Sequence, residues 1–195
     1  MARKWRTIDI VFASVLAAVS GVMIWAWGLF TSVALFPLLT FFQPLESLAD
    51  GGWLFPGVLG GLIIRKPGAA FFTELLAAIV AMMLGSQWGF EAFMWGAMQG
   101  LGTELVFALF RYKKFTRLVA VLAGVGAALG GAVLSQSISF VAWEPVWRIT
   151  ALVATCISGA ILAGFGSYQL TKKLVKTGVL DRFAVASELE LIDND

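Results

Sequence analysis

The sequence predicts an all-α polytopic membrane protein, a single integral membrane domain of six transmembrane helices. Three observations predict it. Of 195 residues, 59% are hydrophobic and 13% charged, whereas a soluble domain carries roughly a quarter charged residues. Apolar runs of membrane-spanning length recur along nearly the whole chain. Thirteen of the fourteen Lys and Arg residues fall in connections that six spans would place on one side. The surplus of apolar surface excludes a soluble enzyme and a nucleic-acid-binding module.

Residues 8–30 form the first helix; this run exceeds the roughly 7–15 residues of a signal-peptide core, and apolar sequence continues beyond it. Residues 31–50 are aromatic-rich and interrupted by Pro37 and Pro44. The second helix, 51–64, contains Pro56. At 1.5 Å per residue it rises only about 21 Å, so it borrows neighbouring residues or sits inside the bundle. Helices over 68–85, 90–112, 118–140 and 145–174 follow, and the tail 176–195 reads as a polar segment at the membrane surface.

Six spans put both termini on one side. Arg3, Lys4 and Arg6, the Arg65-Lys66 turn, Arg111, Lys113, Lys114 and Arg117, and then Lys172, Lys173, Lys176 and Arg182 share that side. Arg148 falls opposite, with Glu46, Asp50, Glu91 and Glu144. The positive-inside rule makes the basic side cytoplasmic and the chain a multi-pass protein of the cell membrane, surrounded by lipid.

The chain has no histidine, which removes the usual base or ligand of Ser-His-Asp triads, zinc-protease sites and haem sites. Its one cysteine, Cys156, lies in an apolar run and reads as a small packed hydrophobe. No metal-ligand spacing, phosphate-binding loop or proton-relay series is present, so the sequence implies no cofactor, metal site or catalytic residue. If the chain transports, another subunit must supply the energy.

Seven of the eight tryptophans, Trp25, Trp27, Trp53, Trp88, Trp95, Trp143 and Trp147, map to the side opposite the basic loops; only Trp5 does not. Two readings fit this: an interfacial aromatic belt, or a pocket walled by rings that takes a planar or cationic ligand. Belts decorate both faces, and this distribution is one-sided. Glu46, Gln87, Glu91, Gln136 and Glu144 lie at depths that suit directed hydrogen bonds to such a ligand. Trp53, Trp88, Trp95 and Trp143 are the candidate walls.

Glu74 and Glu104 lie within the spans, where a carboxyl group needs a partner or a cavity. Each is about 10–12 Å from the basic side, so the two can share a layer. On the fourth helix Gly96, Gly100 and Glu104 make one stripe at four-residue spacing, and Trp95, Gln99 and Thr103 another; Gln99 is about 140° from Glu104. The glycine stripe makes Glu104 a buried interhelical partner, and the second stripe makes Gln99 a pocket-floor ligand. Glu74 stands open between pocket and packing. Ala13, Ala17 and Gly21 form a small-residue face on the first helix, which serves internal packing or a partner subunit. Gly126 with Gly130, and Ala160 with Gly164, repeat that pattern.

Specific strings resemble a known family. Ile64-Arg65-Lys66-Pro67-Gly68-Ala69-Ala70, Glu74, Leu84-Gly85-Ser86, Gln99-Gly100-Leu101-Gly102-Thr103-Glu104 and Thr177-Gly178-Val179-Leu180 look like the YkoE family. That resemblance implies a substrate-binding S component of an energy-coupling-factor (ECF) transporter. Its substrate would be a vitamin, thiamine or its hydroxymethylpyrimidine precursor. Its partners would be a transmembrane coupling subunit and two ABC ATPases, with Ala13 and Ala17 resembling the docking motif of the first helix. A carboxylate or amide edge would meet the aminopyrimidine and cationic thiazolium, with Glu46 the leading carboxylate.

Three alternatives remain at this level: an S component for another vitamin, a small intramembrane enzyme using Glu74 and Glu104 as acid and base, and a structural membrane subunit without a pocket.

Overall fold

The computed structural model describes residues 4–187, and its described residues are helical with no strand. Arg3 and the end of the tail, 188–195, lie outside them. Six helical stretches follow one another: α1 (Thr7–Leu39), α2 (Gln43–Ile64), α3 (Ala69–Met83), α4 (Glu91–Leu109), α5 (Arg117–Ser139) and α6 (Pro145–Lys176). Four of these, α1, α2, α5 and α6, are long and apolar enough to cross a membrane, and α3 is a shorter apolar helix.

The first difference from expectation is the length of α1. Its helix does not stop at Phe30 but continues past it with a wide turn over Thr31–Leu35, where Phe36 N–H donates to Thr31 O five residues back. Thr31 Oγ1 donates to Trp27 O and Gly28 O, and Ser32 Oγ to Gly28 O. These back-bonds compete with the ordinary ladder, and the widened turn accommodates Pro37, which has no N–H of its own. Wide turns also interrupt α5 over Ser135–Ser139 and α6 over Gly159–Phe165.

Helix α2 opens with a tight turn over Gln43–Ala49, so it does recruit residues upstream of Gly51. Eleven of its fourteen residues from Gly51 to Ile64 are buried, and it touches each of the other five helices. A helix apolar all round belongs in the middle of a bundle, and α2 sits there. Around it the backbones approach closely: a side chain at Gly102 would strike Gly126 O between α4 and α5, and one at Gly124 would strike Gly159 O between α5 and α6.

The end of the bundle that carries Arg65 and Lys66 is knotted by polar contacts. Arg65 closes α2 in the left-handed region (φ 56°), and Gly68 (φ 84°) opens α3. Asp9, fully buried, pairs with Lys66 and with Arg6, the latter at 3.0 Å. The hydrogen bond and charge of Asp9 hold the Arg6 guanidinium above its ordinary range. Trp5 Nε1 donates to Pro67 O at 2.9 Å.

Two expectations change here. The stretch after α6 is not a polar surface segment: Leu180, Phe183, Val185 and Ala186 are buried against Ala13, Leu59, Ile63 and Ala69. Ala13, Ala17 and Gly21 do not form an open docking face, because they are buried against neighbouring helices within the chain. A side chain at Gly21 would meet Val80 Cβ at 2.6 Å and Ala77 O at 2.8 Å. Small residues permit close approach, and on this face α3 fills it.

Candidate functional site

A cavity of about 220 Å³ opens among all six helices, with residues of the α3–α4 and α5–α6 connections also lining it. A single water needs about 10–15 Å³ on this measure, so the space suits a small organic molecule. Six aromatic rings line it, those of Phe36, Trp53, Trp88, Trp95, Phe140 and Trp143. Three carboxylates, Glu46, Asp50 and Glu74, face it, and no lysine or arginine does among the described residues.

Each carboxylate is placed by its helix. Glu46 comes from the tight first turn of α2, and Asp50 follows where that turn passes into regular helix. Thr155 Oγ1 on α6 donates to Asp50 Oδ2 at 2.6 Å. Next to it, the Ser158 hydroxyl donates to Leu48 O at 2.5 Å and accepts the Gly51 N–H at 2.9 Å. This pins the start of α2 to α6.

Glu74 is 1% exposed and lines the cavity. Its Oε2 accepts the Gly57 N–H at 2.6 Å, immediately after Pro56, which supplies no donor. A Cβ at Gly57 would come within 2.9 Å of that oxygen, so this contact requires glycine. On α4, Trp95 and Gln99 share a face four residues apart and both reach the cavity. The Gln99 amide lies across Gly131 of α5, where a Cβ would meet its Nε2 at 3.3 Å.

The structure therefore brings Glu46, Trp53, Glu74, Trp88, Trp95, Gln99 and Trp143 to one cavity. It does not bring Gln87, Gln136 or Glu144 there. The Gln87 amide pairs with the Ser32 hydroxyl at 2.5 Å. Gln136 Oε1 accepts from Arg148 Nε at 2.8 Å, which turns its amide away towards α6. Glu144 is exposed and stands before Pro145 at the start of α6. Charge and depth alone suggested these three, and nearer hydrogen-bond partners claim two of them.

The tryptophans divide in the same way. Trp25, Trp27 and Trp147 do not line the cavity. Trp27 backs Trp53 edge-on at 6.4 Å and donates to Ala49 O, and Trp147 packs on Phe42 and Trp143. Sequence reasoning missed Asp50, which served only as a topology marker. Its four-residue spacing from Glu46 was the available signal.

Glu104 stands apart from Glu74. Its carboxylate accepts the N–H groups of Gly68, Ala70 and Phe71 at 2.6, 3.0 and 3.2 Å, and the Tyr112 hydroxyl at 2.6 Å. It caps α3 from α4 and does not line the cavity. The two glutamates do not share a layer: Glu74 sits beside Gly100, one turn from Glu104.

Comparison with known proteins decides the family. Residues 8–130 match the model of the permease component of an ABC-type cobalt transport system. A curated relative, the putative HMP/thiamine permease protein YkoE of Bacillus subtilis (strain 168), is 34% identical over 190 residues, 96% of this chain and 94% of the relative. The chain belongs to the YkoE family. A crystal structure of an S-component of an ECF transporter superposes with a TM-score of 0.90 at 33% identity, covering 98% of this chain and 96% of that one. The YkoE-family chain is thus an S component, a multi-pass membrane protein with a binding role and not an enzyme.

Proposed function

We propose that this chain is the substrate-binding S component of an ECF transporter and captures thiamine or its hydroxymethylpyrimidine precursor. The observation that carries the reading is the cavity itself: aromatic walls and three carboxylates with no described lysine or arginine, in a chain 34% identical to a putative HMP/thiamine permease. Thiamine joins a planar aminopyrimidine to a cationic thiazolium. Rings stack on the first and hold the second by cation–π attraction, and carboxylates complement its charge.

The matched family model names cobalt, but an organic cation suits these groups better. No set of three described His, Cys, Asp or Glu residues is grouped as metal ligands would be, whereas the rings have no use in a cobalt site. The intramembrane-enzyme alternative loses its geometry, because Glu104 is engaged by three backbone amides and a tyrosine away from the cavity.

In this reading all six helices span the bilayer with both termini in the cytoplasm, and the cavity opens outward. A transmembrane coupling subunit and two ABC ATPases drive release inward. The chain carries no phosphate-binding loop of its own.

The test is tryptophan fluorescence of the purified chain in detergent, titrated with thiamine, hydroxymethylpyrimidine and riboflavin. A saturable change with either of the first two, and none with riboflavin, is expected. Folded protein that responds to none of the three, or to riboflavin alone, overturns the assignment.

A further inference from the structure

The three cavity carboxylates fall into two groups. Glu46 and Asp50 lie one turn apart where α2 begins, and Trp53 follows on the same helix. Glu74 stands at the level of Gly57, about 10 Å farther along α2, with Trp95 and Gln99 also lining the cavity from α4. Each group has its own ring.

Their hydrogen bonding also differs. Thr155 and Ser47 both hydrogen-bond the Asp50 carboxyl, whereas the Glu46 carboxyl has no hydrogen-bond partner among the described residues. Two carboxylates this close, with no described lysine or arginine among the lining residues, relieve their repulsion either by taking up a proton or by holding a cation between them, and a cationic ligand supplies the second. Glu74 has one oxygen occupied by the Gly57 N–H, which leaves the other to accept from a ligand. The Gln99 amide offers a donor and an acceptor of its own. A carboxylate acceptor beside an amide matches the edge of an aminopyrimidine, which presents both an N–H donor and ring-nitrogen acceptors.

We propose that Glu46 and Asp50 form a cation subsite and that Glu74 and Gln99 form a separate ring-edge subsite. Asp50 and Glu46 then set the preference between the thiazolium-bearing vitamin and its uncharged pyrimidine fragment. This inference rests on reading the cavity as a thiamine-class site. Ser158 and Thr155 become positioning residues, which hold the first turn of α2 so that the cation subsite keeps its shape.

The experiment compares affinities for thiamine and for hydroxymethylpyrimidine by calorimetry on the detergent-purified chain and on E46Q, D50N, E46Q/D50N and E74Q variants. Asn at position 50 still accepts the Thr155 hydrogen bond, and Glu46 has no hydrogen bond to lose, so E46Q provides the second variant should D50N fold poorly. In the double variant the ratio of thiamine to pyrimidine affinity is expected to fall at least tenfold, and E46Q alone lowers it in the same direction. E74Q weakens both ligands and leaves the ratio within about twofold. An unchanged ratio in both E46Q and the double variant overturns the division, as does a ratio shift in E74Q as large as theirs. Failure of the unaltered chain to bind either ligand instead overturns the thiamine-class reading itself.

Discussion

Glu104 of α4 accepts the backbone N–H of Gly68 at 2.6 Å and so closes the N-terminus of a helix to which it does not belong. Gly68 has no side chain to cap α3, and the left-handed backbone it adopts favours glycine. The cap had to come from elsewhere, and Tyr112 buttresses it with a hydrogen bond at 2.6 Å.

Replacing Glu104 with alanine leaves three N–H groups at the start of α3 without their acceptor. The expected loss is about 2–4 kcal/mol, because hydrogen bonds to a charged group contribute about 1.5–3 kcal/mol each and water replaces part of them. A lowered melting temperature in detergent is the readout. Y112F, which removes only the buttress, is expected to cost about 1 kcal/mol.

Asp9 and Lys66 form a buried pair, so removing one partner is worse than removing both. K66M leaves the fully buried Asp9 with Arg6 alone and is expected to cost about 3 kcal/mol. D9N/K66M should recover at least half of that loss. A thermal-melt double-mutant cycle in detergent checks it, and strictly additive effects would contradict the pairing.

At Gly124 an alanine must displace the backbone of Gly159, not a flexible side-chain end. G124A is expected to destabilise by about 1–3 kcal/mol, the usual range for overpacking. Alanine at Gly166, whose Cβ would meet only Ile161 O at 3.6 Å, serves as the control and should melt within about 1 kcal/mol of the parent.

The tryptophans should separate by function as they do by position. W95A removes a cavity wall and is expected to lose about 1–3 kcal/mol of ligand binding, the worth of one stacked ring. W25F lies off the cavity and should bind within about twofold of the parent. Calorimetric titration of each variant with thiamine gives the comparison.

Much of the fold was legible in the sequence because helix periodicity and the length of the apolar runs are strong local signals. The two stripes of α4 follow from 100° per residue alone: Gly100 faces Glu74, while Gln99 faces the cavity. What escaped depends on partners far away in sequence. Pro37 looked like a break because the widened turn that absorbs it is built from back-bonds of Thr31 and Ser32. Gln136 looked available because sequence does not show that Arg148 lies across it. The burial of Leu180 and Phe183 was hidden among charged neighbours. Ala13, Ala17 and Gly21 signalled a close approach but not its occupant.

The contact between Arg6 and the Arg182 carbonyl joins positions 176 residues apart. During synthesis the layer around Ala13 stays unfinished until Leu180 and Phe183 have emerged from the ribosome, however early α1 enters the bilayer. The start of α1 and the segment that follows α6 therefore mature together, and loss of one packing surface is felt at the other.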